Sequence, residues 1–238
     1  MSIYLIPTLY SIAGVLLTVM YVAILYSFTK KPASHLIYVF SLTILFFALF
    51  AWFISLPVFF ANGDMGIIFW GYAAALIVAF GTMYVCLIVQ SYLSNTILKN
   101  HFQLWKMLIL LIGFIAITLH LFFPKEPTTE HGIIIWHANL LTTILVSGTY
   151  LVFSFYWTRF FVKFSRMITE PEQKRNILMI AANGLCNGLG SVLVFGSGQW
   201  FLTLIGASLY VCGALASLLV FVVIPLFEGS NKRTESPF

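Results

Sequence analysis

Seven apolar stretches, each roughly 20 to 27 residues long, make up most of this sequence. An α-helix rises 1.5 Å per residue, so each stretch is long enough to cross a hydrocarbon core of about 30 Å. The composition agrees, because 61% of the residues are hydrophobic and only 8% are charged, whereas a soluble domain carries about 25% charged residues. We therefore predict an all-α, polytopic membrane protein whose main surroundings are the lipid bilayer.

Short links join these predicted spans into one unit. We predict a single seven-helix transmembrane domain over residues 1–228 and a short cytoplasmic tail over residues 229–238. The predicted spans run from Ile3 to Phe28, Leu36 to Ala61, Ile67 to Leu93, Leu104 to Phe123, Ile133 to Phe161, Ile177 to Phe195 and Trp200 to Phe227.

The positive charges between the spans predict the orientation of the protein. Eleven of the twelve Lys and Arg residues lie at or beyond the span ends on the side of the C-terminus, and only Lys125 lies on the other side. Cytoplasmic loops of membrane proteins are enriched in Lys and Arg. We therefore predict an outside N-terminus and a cytoplasmic C-terminus. The same bias accounts for the net charge of +5, so we expect no nucleic acid as a partner.

Tryptophans near the span ends predict an aromatic belt. Trp70, Trp136 and Trp200 open the third, fifth and seventh spans on the outer side, while Trp105 and Trp157 lie towards the inner side. Indole rings favour the headgroup region of a bilayer. We therefore expect these rings to lie at the two membrane surfaces.

Polar residues recur at helical spacing in four spans and predict which faces meet. Such groups would lack hydrogen bonds if they faced lipid, so we expect the polar faces to pack together. The fourth span has almost no polar groups, which predicts a place at the periphery. The polar faces consist of Thr82, Cys86 and Gln90; Asn139, Thr143, Ser147, Tyr150 and Ser154; Asn183, Asn187 and Ser191; and Thr203, Tyr210 and Ser217.

Two interpretations of these polar faces remain open. The side chains hydrogen-bond across helices and hold the bundle together, or they converge on a pocket for a neutral, hydrogen-bonding ligand. Beside them, Gly184 and Gly188 form a small-residue ridge that permits close helix approach, either within the chain or in a homodimer. The candidate ligand-binding residues are Thr82, Asn139, Thr143, Asn183, Asn187 and Tyr210.

The sequence gives no positive sign of catalysis. No Asp, Glu, Lys or Arg lies in the middle of a predicted span, which argues against an ion-coupled pump. We find no nucleophile motif, paired carboxylates or phosphate loop, and we expect no enzyme activity and no cofactor. His120 and His137 flank the link between the fourth and fifth spans. We interpret both as interfacial histidines whose ring tips reach water, with a metal site as the weaker alternative.

Three segments of the sequence carry a family resemblance. One is Phe40 to Trp52, FSLTILFFALFAW, which follows a short basic link. Another is Gly66 to Ala75, GIIFWGYAAA, in which an aromatic pair lies near the start of a span. The last is Glu170 to Gly190, EPEQKRNILMIAANGLCNGLG, in which a polar and basic lead-in continues into a glycine-rich helix. Together they resemble the seven-helix N-terminal sensor regions of bacterial histidine kinases.

The resemblance implies a sensing module of the bacterial inner membrane that passes a signal to a cytoplasmic output. Family members continue into a kinase or other effector, whereas this chain stops within ten residues of Gly229, so we expect a separate signalling partner. Two alternatives stay open. One is a small seven-helix transporter of a neutral solute, in which the bare fourth span is the linker between two repeats. The other is a non-catalytic accessory membrane subunit.

Overall fold

The computed structural model describes residues 4–30, 35–61, 64–93 and 99–219, and in this part of the chain seven helices are long and apolar enough to span a membrane. This confirms the prediction of a helical, membrane-spanning architecture. The link around Lys31, the turn at Asn62 and Gly63, and the tail from Gly229 lie outside the described residues. The elements are α1 Leu5–Lys30, α2 His35–Phe60, α3 Met65–Leu93, α4 Lys99–Phe122, β1 Thr128–Glu130, β2 Ile133–Ile135, α5 Leu140–Ser165, α6 Pro171–Gly196 and α7 Trp200–Leu218.

The helices form a closed ring in sequence order. Each helix packs against the next one, and α7 packs against α1 to complete the circle. Helices α3 and α4 are the extremes: 72% of the apolar window in α3 is buried inside the protein, but only 22% of that in α4. The peripheral place predicted for the fourth span is thus the one that α4 occupies.

A proline inside α2 does not end the helix. Pro57 lies within α2, and its ring prevents the usual hydrogen bond to the carbonyl of Phe53. Gly71 of α3 lies directly against this site, since a Cβ at Gly71 would collide with the Pro57 ring and lie 2.9 Å from the Phe53 carbonyl oxygen. The glycine therefore lets α3 pack closely against the distorted turn of α2.

The fifth span begins later than the sequence predicted. Residues from Ile133 to Ile135 form β2, which pairs antiparallel with β1 so that Thr129 faces Ile134. His131 and Gly132 both have positive φ, 51° and 74°, as a two-residue hairpin turn requires. The prediction of a helix from Ile133 was wrong because β-branched isoleucines fit a strand as well as an apolar span.

The hairpin lies over one end of the bundle. Strand β2 contacts α1 and α7, and Ile133 and Ile134 are completely buried while the three residues of β1 are exposed. Beyond β2, the Trp136 ring meets Tyr10 of α1 edge-on at 6.4 Å between centroids. We call this the hairpin end of the bundle, and the opposite end, where Arg159 and Lys163 lie, the basic end.

Helices α4 and α6 also differ from the predicted spans. Helix α4 starts at Lys99 rather than Leu104, and α6 starts at Pro171 rather than Ile177. Proline is favoured in the first turn of a helix because no hydrogen bond is lost there. Glu172 in the same turn adds a favourable interaction with the helix dipole. The polar lead-in to the sixth span is therefore helical.

The predicted aromatic belt is wrong for two of its tryptophans. Trp70 is 64% exposed, but Trp136 and Trp157 are 2% and 5% exposed. Trp136 is buried because it follows β2 into the bundle. The Trp157 indole N–H donates to the Ile180 carbonyl oxygen of α6 at 3.3 Å, which holds the ring between helices rather than exposed on the outside of the bundle.

Candidate functional site

A small cavity of about 50 Å³ lies inside the ring. It is lined by residues of α1, α2, α3, α5, α6 and α7. The polar faces had predicted only α3, α5, α6 and α7, so α1 and α2 are additional. Among the described residues no acidic or basic side chain lines it, so the site is uncharged, and its mainly apolar surface includes several polar side chains. Its polar lining consists of Thr43, Thr82, Cys86, Tyr150, Ser154, Asn183, Asn187 and Ser217.

Two asparagines of α6 organise one wall of the cavity. Asn183 and Asn187 are one turn apart, and the Asn187 Nδ2 donates to the Asn183 Oδ1 at 2.6 Å. The Asn183 Nδ2 in turn donates to the Ser217 hydroxyl of α7. This chain of hydrogen bonds links α6 to α7 and satisfies amides that would be costly in an apolar bundle.

A glycine of α7 makes room for these amides. A Cβ at Gly213 would lie 2.5 Å from the Asn183 Oδ1 and 3.0 Å from the Asn187 Oδ1, closer than such atoms approach. Our sequence analysis missed Gly213. The signal for it was its spacing of four residues before Ser217, which puts a glycine on the same helix face as a polar residue.

The glycine ridge of α6 packs against α5 within the chain. A Cβ at Gly184 would collide with the Trp157 indole, and one at Gly188 would collide with the Ser154 side chain. Both glycines therefore serve an internal helix contact, so the homodimer that they also suggested has no support from this ridge. The close approach brings Tyr150 and Ser154 of α5 up to the asparagines of α6.

The six candidate ligand-binding residues do not all meet. Thr82, Asn183 and Asn187 line the cavity. Tyr210 does not, because it lies nearer the hairpin end, where its hydroxyl donates to the Phe47 carbonyl oxygen at 2.7 Å. Thr143 is half-buried and lies nearer the hairpin end than the cavity-lining part of α5.

Asn139 has a capping role in the structure. It precedes α5, where its Oδ1 accepts from the backbone N–H of Thr142 at 2.8 Å and its Nδ2 donates to the Leu119 carbonyl oxygen of α4 at 3.0 Å. The residue therefore caps α5 and ties its start to the end of α4. Because Asn139 lies four residues before Thr143, we predicted that it shares the polar face of the helix. The helix begins only at Leu140.

Replacement of this cap is expected to destabilise the fold moderately. Asn139→Ala should lower the free energy of unfolding by about 1 to 2 kcal/mol, since it removes an N-cap. Asn139→Asp keeps the cap oxygen and should lie closer to the wild type. Thermal unfolding in detergent, followed by circular dichroism, measures both variants. Equal stabilities of Asn139→Ala and wild type would contradict the capping role.

The two histidines near the hairpin end differ in surroundings. His120 has no exposed surface, and its ring stacks on Phe69 at 4.5 Å and meets Tyr72 edge-on at 4.8 Å. The expectation of a wetted ring tip was wrong for His120, because the end of α4 is covered by α3. Within the part of the chain that the structure describes, no three His, Cys, Asp or Glu side chains gather as a metal site would require.

His137 lies outside the membrane-spanning helices. It is half-buried between β2 and α5, and its Nε2 lies 2.7 Å from the Thr128 hydroxyl oxygen. Burial, and to a smaller extent the charge of Lys125, lowers the pKa of His137 below its usual value. Its contact with Thr128 connects the two sides of the hairpin.

Comparisons with known proteins find no matching family model, no matching curated protein and no matching solved structure. The resemblance to sensor regions of histidine kinases therefore stays a prediction.

Proposed function

We propose that this protein is a membrane-embedded sensing module that binds a small, neutral, hydrogen-bonding molecule in the central cavity. The observation that carries the proposal is the group of uncharged polar side chains that lines part of this mainly apolar cavity. Amide and hydroxyl groups of five helices line it, and a few placed polar groups in a mainly apolar pocket are how ligand sites fix the orientation of a neutral molecule.

The small size of the cavity supplies a mechanism for sensing. Drug-sized ligands occupy pockets of roughly 300 Å³ or more, whereas this cavity measures about 50 Å³. A ligand of several carbon atoms therefore requires the lining helices to move apart. We propose that α6 and α7 separate, which breaks the hydrogen bond that joins Asn183 to Ser217. Such a ligand favours the opened arrangement and shifts the population of the two states towards it.

We propose that the basic end faces the cytoplasm, with the N-terminus outside and the C-terminus inside a bacterial inner membrane. The support is the enrichment of Lys and Arg at that end. A change in α6 and α7 would then reach the exposed link between α5 and α6, which begins at Arg166 and ends at Glu170, and the first turns of α6, which carry Lys174. A cytoplasmic or membrane signalling partner would read the signal there.

The experiment is a thermal-shift measurement on the purified protein in detergent with acetamide, butyramide, butanol and nicotinamide as probes. We expect at least one probe to raise the unfolding temperature of the wild type, and Asn187→Leu to abolish that rise. Ser208→Leu is the matched control, because Ser208 is exposed on α7 away from the cavity. The absence of any shift, or an equal shift in Asn187→Leu, would contradict the binding site.

A transporter of a neutral solute is the second candidate, and the peripheral place of α4 favours it. Two three-helix units, α1–α3 and α5–α7, flank this exposed helix in the order that a linker between repeats would have. Flux of a bound probe across proteoliposomes would support this function. Binding without flux would favour the sensor.

A further inference from the structure

A second, larger hollow lies between α4 and α5. It measures about 280 Å³, and its lining is almost entirely apolar, with Leu87 of α3 at its base and Ile109 and Val152 on its walls. Val152 is 53% exposed, so the hollow opens onto the surface that faces lipid. We call it the α4–α5 cleft. No described residue of α6 lines the cleft, and Phe153 of α5 separates it from the central cavity, since this ring lines both.

The cleft exists because one glycine of α5 has no packing partner. A Cβ at Gly148 would have no atom within 4 Å, whereas a Cβ at Gly184 or Gly188 would collide with α5. Glycine in a helix costs about 1 kcal/mol relative to alanine, and close packing usually offsets that cost. Here nothing in the described chain fills the space, which leaves a groove that a chain of methylene groups fits.

The basic end of the cleft carries aromatic and cationic groups. The rings of Trp105 and Tyr156 meet at 5.9 Å between centroids and close this end. Arg159, which is exposed, lies one turn beyond Tyr156, and Lys106 lies one turn from Ile109 on α4. Aromatic rings followed by cations are what the interface and phosphate layers of a bilayer favour.

The dimensions of the cleft match one leaflet of a bilayer. Gly148 and Arg159 are about 16 Å apart along the axis of α5, at 1.5 Å per residue. Half of a hydrocarbon core of about 30 Å is nearly the same length. An acyl chain that reaches the hollow at Gly148 therefore places its headgroup at the level of Arg159.

We propose that the α4–α5 cleft binds an anionic phospholipid. One acyl chain fills the hollow beside Gly148, and the Arg159 guanidinium and the Lys106 ammonium bind the phosphate. The occupant is an anionic rather than a neutral lipid because the groups that flank the basic end of the cleft are both cations. The lipid completes the loosely packed contact between α4 and α5.

The test is native mass spectrometry of the full-length protein in detergent, with phosphatidylglycerol or phosphatidylcholine of identical chains. We expect retained phosphatidylglycerol in the wild type and its loss in Gly148→Leu, which fills the hollow. Arg159→Gln should lower the preference for the anionic lipid by about fivefold, the effect of one cation near the headgroups. The matched controls are Cys212→Leu, an exposed site on α7, and Lys174→Gln, an exposed cation on α6.

Each outcome bears on the proposal. Retention of lipid by Gly148→Leu at the wild-type level would show that the lipid lies elsewhere and overturn the site. Equal retention of the two lipids would overturn the headgroup assignment, and so would an equal loss in Lys174→Gln and Arg159→Gln. Circular dichroism on each variant confirms that its helices are intact, and no result depends on the central cavity.

Discussion

Gly188→Val is expected to lower the free energy of unfolding by about 3 kcal/mol, the upper range for overpacking a close contact. A side chain at this position collides with Ser154 of α5, so α5 and α6 must move apart. The matched control is Gly148→Val, the same change on the neighbouring helix, where a Cβ has no atom within 4 Å. Unfolding in detergent with increasing sodium dodecyl sulfate, followed by circular dichroism, measures both.

A double-mutant cycle sharpens this prediction. Gly188→Ala adds one methyl group that meets the Ser154 hydroxyl and Cβ, and Ser154→Gly removes those atoms. The double variant should be more stable than the sum of the single changes predicts, with a coupling of about 1 kcal/mol or more. Additive effects would show that Gly188 and Ser154 are not in contact.

Ile134→Asp is expected to lower the free energy of unfolding by about 4 kcal/mol, because it removes a buried aliphatic side chain and buries an unpaired carboxylate. Ile134 has no exposed surface and lies at the centre of β2. Thr129 faces it across the hairpin and is exposed. Thr129→Asp is therefore the matched control and should change the stability by less than about 0.5 kcal/mol.

This pair of variants tests whether the hairpin is part of the core. If the hairpin only rests on the bundle, Ile134→Asp will release it with little effect on the helices, and the two variants will unfold alike. If it is built into the hairpin end, the contact between Trp136 and Tyr10 is lost with it. Tryptophan fluorescence of the two variants, measured beside their unfolding curves, distinguishes these results.

Much of the architecture followed from patterns that only a membrane protein shows. Long apolar runs predicted the seven helices, and the bare fourth span predicted its exposed position. The spacing of Asn183 and Asn187 placed them on one face of α6, and their amides could not face lipid. These inferences depend on local spacing and on the cost of an unpaired polar group, both of which can be read from residues near one another in the chain.

The composition of the cavity could not be predicted in the same way. Thr43 and Phe47 of α2 line it, although α2 shows no polar stripe. In a membrane protein the lipid-facing and the core-facing sides of a helix are both apolar, so hydropathy does not distinguish them. The prediction that Asn139 lies on the polar face of α5 was wrong for another reason. Its spacing fits that face, but the helix begins one residue later.

The sequence by itself determined that the chain forms seven helices long and apolar enough to span a membrane, because the hydrophobic length of each span and the scarcity of charge can be read from local segments. Only the tertiary structure decided that Ile133 to Ile135 form a strand and not the start of a helix, since an apolar run fits either a membrane helix or a buried strand. It also decided that Gly184 and Gly188 of α6 lie directly against a neighbouring helix, whereas Gly148 of α5 does not. That distinction depends on the distance between helices, which no single segment of the chain contains.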